Sequence, residues 1–195
     1  APGGKSLLLI EEMGDEGRLV SCDVSENRVQ LIRKAVERMG FAHVEPRVSD
    51  GTRPDADLPM ADAILVDAPC SGLGILAKKP DIRYKTLEKA RHDELLATQS
   101  AILDTAAAHL KEGGRLVYST CTLSLQENQA VCQSLQDKFG DALSVDSLAS
   151  LFPGAGQACT PEGYLHVWPQ IFDSEGFFVA RISKHHSVPN TMFKP

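Results

Sequence analysis

The limits on this sequence come first from what it lacks. No apolar run approaches the roughly 18 residues of a membrane span, so no membrane segment is expected. No basic stretch leading into an apolar one opens the chain, and the reading is of a cytoplasmic protein without a secretory leader. No Cys-x-x-Cys occurs. The five cysteines, Cys22, Cys70, Cys121, Cys132 and Cys159, follow no regular spacing. That argues against a disulfide framework and a thiolate zinc site, and no metal is expected. Internal repeats and low-complexity tracts are missing too. Positive charge is short: 20 Lys and Arg against 26 Asp and Glu leave a net charge of −6. Whole-domain charge therefore gives no sign of a nucleic-acid binder.

The 195 residues suffice for one domain with a sizeable core. The chain opens inside a Gly-rich turn, Ala1-Pro2-Gly3-Gly4-Lys5, and a further strand is expected upstream of it. Leu7 to Met13 reads as a helix ended by Gly14. Gly-rich backbone at a helix N-terminus points N–H groups and the positive dipole end at an anionic or polar ligand. Arg18 to Asp23 reads as a strand. Ser25 is placed to cap the helix that follows, in which Val29, Ile32, Val36 and Met39 recur at helical spacing until Gly40. Val44 to Val48 is another strand, closed by Ser49-Asp50-Gly51.

The centre of the chain is Asp62 to Gly74. Ala63 to Val66 is a short continuous apolar run, the pattern of a strand covered on both faces. Asp67 ends it, Pro69 stops regular pairing, and Cys70 follows at the mouth. Gly72 and Gly74 allow a sharp turn and a close approach. Three strands thus end in Asp23, Asp50 and Asp67. That edge is where ligands sit in open α/β sheets, although a lone carboxylate there is commonly only a turn residue. Asp23 follows the glycines by about 20 residues, the spacing of a ribose-hydroxyl partner.

Lys78 to Lys85 is a locally basic loop, either solvated or a phosphate-contacting lip. A long helix runs from Leu87 to Leu110 with Leu95, Ile102, Ala106 and Leu110 on its buried stripe. Gly113-Gly114 leads into the strand Arg115 to Ser119, and Thr120-Cys121-Thr122 ends it. Cys70 and Cys121 therefore lie past the ends of consecutive parallel strands joined by a helix, which are expected to be neighbours. Two thiols would face one crevice. Cys132, inside a helix from Gln126 to Phe139, reads as a small buried hydrophobe. Cys22 and Cys159 have no constellation around them. Leu143 to Val145 is a short strand and Pro153 to Gly163 a loop. Tyr164–Trp168 and Phe177–Ile182 form an antiparallel hairpin at the sheet edge. The whole is an α/β fold, a Rossmann-like, doubly wound, mostly parallel sheet spanning residues 1–183, with 184–195 as a linker.

Gly4-Lys5-Ser6 before a helix, with Ile64 to Asp67, is also compatible with a P-loop nucleotidase, which leaves Cys70 and Cys121 without a role. A cysteine pair beside a nucleoside-type site suits covalent activation of a pyrimidine. A thiolate adds to the electron-poor carbon 6, and carbon 5 then accepts a methyl group from a sulfonium donor. One thiol attacks. A second group helps remove the carbon 5 proton or release the adduct. Spacing alone does not say which thiol attacks.

Three motifs carry a family resemblance: Ala1-Pro2-Gly3-Gly4-Lys5, Asp67-Ala68-Pro69-Cys70-Ser71-Gly72 and Ser119-Thr120-Cys121-Thr122. In this order and spacing they resemble RNA cytosine carbon-5 methyltransferases of the NOL/NOP/Sun family. Glu162 to Gln170 and Glu175 to Arg181 resemble the bacterial RsmF type, which modifies small-subunit ribosomal RNA. The resemblance implies that Ala1, Pro2, Gly3, Gly4, Lys5, Asp23, Asp50 and Asp67 bind S-adenosylmethionine. Asp23 would take the ribose, Asp50 the adenine side, and Asp67 would lie between cofactor and base. It implies that Cys121 is the nucleophile and that Cys70 assists product release. In DNA cytosine methyltransferases the Pro-Cys position, here Cys70, attacks instead. The cytosine would have to be unstacked to enter the crevice. The resemblance also implies RNA-binding regions outside these residues, in keeping with the acidic balance. The rival from another class is a non-catalytic RNA-binding or assembly fragment.

Overall fold

The computed structural model describes residues 2–84, 89–152 and 156–186. The chain divides into two compact units, Ala1–Asp55 and Ala56–Pro195.

The first unit contains α1 (Gly4–Glu12), β1 (Leu19–Asp23), α2 (Glu26–Met39) and β2 (Val44–Val48). The two strands pair in parallel, with Leu19 opposite Val44 and Asp23 opposite Val48. Helix α1 starts ahead of Leu7 because Gly3, with φ at 110°, occupies its N-cap position, and the Leu7 N–H donates to the Gly3 carbonyl at 2.9 Å. On α2 the expected apolar stripe is buried at Val29, Ile32 and Val36. Met39 falls off it: it is the last helical residue before Gly40 and is 53% exposed. Ser25 makes no side-chain cap; its backbone N–H instead donates to Asp23 Oδ1 at 3.0 Å.

The second unit contains β3 (Ala61–Asp67), α3 (Lys89–His109), β4 (Leu110–Thr120), α4 (Gln129–Phe139), β5 (Leu143–Asp146), β6 (Leu165–Val167), α5 (Pro169–Phe172) and β7 (Phe177–Lys184). Its strand order is β3-β4-β7-β5, with β6 also against β7. Strands β3 and β4 are parallel neighbours, as the crossover through α3 requires. The antiparallel hairpin forms between β6 and β7, and β7 also pairs antiparallel with β4 and β5. The core lies on one face, where Val66, Leu116, Tyr118, Phe178, Ala180 and Ile182 meet Leu103 and Ala107 of α3 and Cys132 and Leu135 of α4.

Four expectations change here. Strand β3 is not buried on both faces: Ile64 and Val66 face the core, while Ala63 and Leu65 are exposed, Leu65 by 37%. It is a terminal strand in this sheet, and α3 and α4 pack on the Ile64–Val66 face. The buried residues of α3 are Gln99, Leu103, Thr105, Ala106 and Ala107; Leu95, Leu96 and Ile102 are only half-buried, Leu96 and Ile102 against the core. Leu110 is buried as the first residue of β4, which begins earlier than Arg115. Ala61 pairs with Leu110 and Ala63 with Arg115, so Lys111 to Gly114 form an irregularity inside the strand. Leu87 lies outside the described residues. Helix α4 begins at Gln129, after Glu127 and Asn128 turn inward. Among the described residues no helix is long and apolar enough to cross a membrane.

Candidate active site

Beyond the ends of β3 and β4 the two chains stay in step. The Ala68 N–H donates to the Ser119 carbonyl at 3.0 Å, and the Gly74 N–H to the Cys121 carbonyl at 2.9 Å. Between these bonds the expected thiol pair forms: Cys70 Sγ and Cys121 Sγ lie 3.0 Å apart, both half-buried and free of disulfides. The pKa of Cys70 is pushed far above the ordinary thiol value. The hydrogen bond with Cys121 is the largest cause, followed by burial and by the Cys121 charge. Two thiolates at this separation repel strongly. The pair therefore does not ionise twice: when one sulfur is a thiolate, the other keeps its proton. Asp67 ends β3 opposite Ser119 and is exposed.

A buried polar layer backs the thiols, and sequence reasoning missed it. Glu127, Asn128, Gln99 and Thr122 are all fully buried. Ser71 and Thr122, the residues after the two cysteines, join their hydroxyls at 2.8 Å. The Ser71 N–H and O–H both donate to the Glu127 carboxylate, at 2.8 and 2.6 Å. The one signal available was Gln99, a polar residue at helical spacing between Leu96 and Leu103.

A cavity of about 630 Å³ adjoins the pair, lined by Cys70, Cys121, Ile75, Ile82, Arg91 and Leu95 among others. That volume falls in the range of small-ligand sites. Lys79, from the basic loop, also lines it. Lys78 instead pairs with Glu175 at 2.8 Å, and Lys85 lies outside the described residues.

The remaining expected residues belong to the first unit, except Ala1, which lies outside the described residues. Asp23 and Asp50 sit at the same edge of the β1–β2 pair, Asp23 opposite Val48 and Asp50 two residues beyond it. Asp23 accepts from the Ser25 N–H and pairs with Arg28 at 3.3 Å. Asp50 is held below the ordinary carboxylate range, chiefly by the Thr52 hydroxyl at 2.7 Å and then by the Thr52 N–H at 3.0 Å. Ser6 Oγ of α1 lies 2.7 Å from Ser21 Oγ of β1, which ties the Gly3-Gly4-Lys5 turn to this strand pair. Among the described residues no side chain caps the N-terminus of α1, and a Cβ on Gly4 would meet nothing within 4 Å.

Parallel strands, crossover helices and carboxylates at the strand ends make this a Rossmann-like α/β chain of the class I methyltransferase type. Solved structures share the architecture. "Crystal Structure of PH0851" superposes with a TM-score of 0.84 at 32% identity, covering 94% of this chain and 41% of that one. NSun6 from Pyrococcus horikoshii, solved with SFG, gives 0.80 at 27% identity, covering 95% and 46%. Residues 1–183 match the family described as 16S rRNA methyltransferase RsmB/F, and the chain belongs to that family. It is 56% identical over 197 residues to Ribosomal RNA small subunit methyltransferase F of Aeromonas salmonicida (strain A449). That alignment covers 100% of this chain and 41% of the relative, so the chain spans about two fifths of its length.

Proposed function

We propose that residues 1–183 are the catalytic domain of an enzyme that methylates carbon 5 of a cytosine in small-subunit ribosomal RNA. The methyl donor is S-adenosylmethionine, the intermediate is a covalent Cys121–cytosine adduct, and the setting is cytoplasmic. One observation carries this reading: two thiols 3.0 Å apart, one of which keeps its proton, beside a ligand-sized cavity, in a chain of this family.

The residues of the first unit suit the donor. The N-terminus of α1, with no side-chain cap among the described residues, suits its carboxylate, and Gly4 leaves the backbone approachable. Asp23 suits the ribose hydroxyls and Asp50 the adenine side; a carboxylate has acceptor capacity beyond the contacts each already makes. Pro2 and Lys5 flank the same turn, and Asp67 would lie toward the base. Bound S-adenosylmethionine supplies an electrophilic methyl group on its sulfonium.

The chain's own thiols do the rest. Cys121, as thiolate, bonds to carbon 6; the 5,6 double bond is lost and carbon 5 becomes nucleophilic. Once carbon 5 is methylated, solvent water takes its proton, the electrons of that C–H bond restore the double bond, and the carbon–sulfur bond breaks with its electrons on Cys121. The Cys70 thiol, 3.0 Å away, donates a hydrogen bond to that departing sulfur. The nucleotidase alternative leaves this pair without a task.

The test is covalent trapping on 5-fluorocytosine RNA, with the protein in its full natural length. The unsubstituted protein is expected to form the adduct, and Cys121→Ala to lose both adduct and turnover. Cys70→Ala is expected to accumulate adduct even on ordinary cytosine RNA. An adduct that survives in Cys121→Ala would make Cys70 the nucleophile.

A further inference from the structure

Each thiol is bracketed by its own buried side chain, and the two side chains are adjacent in sequence. Around Cys70, Ser71 donates its N–H and O–H to Glu127, at 2.8 and 2.6 Å. Gln99 donates both to Glu127 Oε2 at 3.1 Å and to the Pro69 carbonyl at 2.8 Å. The residues before and after Cys70 are therefore held by one Glu127–Gln99 unit. Around Cys121 the holder is Asn128. The Thr120 hydroxyl donates to Asn128 Oδ1 at 2.7 Å, and Asn128 Nδ2 donates to the Thr122 carbonyl at 3.0 Å.

The hydroxyl contact between the two brackets has a fixed direction. Ser71 has one hydroxyl proton and gives it to a carboxylate oxygen, so the Thr122 hydroxyl must be the donor at the 2.8 Å contact with Ser71. Glu127 and Asn128 are themselves anchored, since the Tyr118 hydroxyl donates to the Glu127 carbonyl at 2.8 Å and the Asn128 N–H to the Ser124 carbonyl at 3.1 Å. Every member of the layer except Ser71 is fully buried, so nothing in it exchanges cheaply for water.

We propose that Glu127 and Asn128 are paired positioning residues with separate tasks, Glu127 setting Cys70 for release and Asn128 setting Cys121 for attack. The inference rests on the covalent reading above. It goes beyond it by predicting that the two steps fail separately. A misplacement of about 1 Å in a reacting group costs on the order of 100-fold, so a loosened bracket is readable in the step its thiol serves.

The experiment compares Glu127→Ala, Glu127→Gln, Ser71→Ala, Asn128→Ala and Thr120→Val in the full-length protein. Trapping rate on 5-fluorocytosine RNA reads attack, and adduct accumulation on ordinary cytosine RNA reads release. Glu127→Ala and Ser71→Ala should trap at near the unsubstituted rate yet accumulate adduct on ordinary RNA, as Cys70→Ala does. Asn128→Ala and Thr120→Val should slow trapping, by about 10–100-fold, without accumulating adduct. Glu127→Gln should restore release, because its amide oxygen can take the Ser71 and Gln99 N–H groups while its NH₂ donates to Ser71 Oγ. Ser71→Ala and Thr120→Val remove only a hydroxyl, so they give the answer if the alanines at 127 and 128 unfold. If all variants slow both steps by one common factor, in proportion to lost thermal stability, the layer is scaffold and the proposal is overturned. If the unsubstituted protein traps nothing, the covalent reading itself fails, a result visible before any variant is made.

Discussion

Gly74 shows how little room the thiol-bearing loops have. Its N–H donates to the Cys121 carbonyl at 2.9 Å, and its own carbonyl accepts the Gly176 N–H at 2.7 Å. A Cβ there would run into the Gly176 carbonyl and stand 2.9 Å from the Cys121 carbonyl oxygen. Both are backbone atoms: the Cys121 oxygen already accepts from Gly74, and the Gly176 carbonyl belongs to the residue whose N–H is bonded to Gly74, so neither yields easily. At Gly72 the nearest obstacle is Ile82 Cδ1 at 2.9 Å, the far end of a flexible side chain, but φ is 76°. Gly74→Ala is therefore expected to cost about 3 kcal/mol, and Gly72→Ala only about 1–2 kcal/mol, from backbone strain. Urea unfolding of the two variants checks the order; equal losses would mean that the Gly74–Gly176 contact relaxes. Gly74 was legible as a place of close approach, although what approaches is backbone. Cys70, Cys121 and the strand-end carboxylates were legible because position at a strand end is local information. Glu127 and Gln99 were not: a buried carboxylate makes sense only beside donors 56 and 28 residues away in the chain.

Among the elements, β4 departs furthest from its sequence pattern. Gly113 and Gly114 suggested that the strand starts after them, yet pairing begins at Leu110 and resumes at Arg115. Helix and strand thus meet without a loop between His109 and Leu110. Two buried carbonyls of that junction are satisfied by Lys184, at the far end of β7. It is buried, and its Nζ donates to the Ala107 carbonyl at 2.8 Å and the Leu110 carbonyl at 2.6 Å. A cation at a helix C-terminus is also favoured by the dipole. The sequence pattern ends the last strand at Ile182 and assigns Lys184 to the linker, whereas β7 runs on to Lys184. Lys184→Met keeps the apolar stem and removes the donors, leaving two carbonyls short of a partner. It should destabilise by about 2 kcal/mol in chemical denaturation, at the level of buried groups that lose their hydrogen bonds. A neutral result would mean that water reaches the junction. The strands themselves were readable, since Leu19–Asp23, Val44–Val48 and Ala61–Asp67 match their expected spans within about two residues.

At the scale of the whole molecule, titratable groups are spread through the core of the second unit. Burial pushes the Cys132 thiol up to about 12 from 9.0 and the Tyr164 hydroxyl up to about 12 from 10.0. Tyr118 is raised by burial first, and Cys70 by its bond to Cys121. A group whose folded pKa exceeds its unfolded value holds its proton more tightly in the native state. The stabilisation is fully present below the unfolded value and is lost as pH rises toward the folded one. For Cys132 the loss reaches about 1.4 kcal/mol one pH unit above the unfolded value. Lys184 runs the other way, because burial lowers its pKa and raising the pH relieves it. One lysine stands against two thiols and two phenols, so the sum favours loss of stability in base. Thermal melts are expected to change little from about pH 7 to 8.5 and to fall steadily from about pH 9 to 11. Cys132→Ala should melt lower at pH 7, since it leaves a cavity in the core, yet show a shallower alkaline fall. The two curves then converge as pH rises. Parallel curves would assign the alkaline loss to the phenols and Cys70, and a melting temperature constant to about pH 10.5 would mean that native and unfolded chains hold these protons equally.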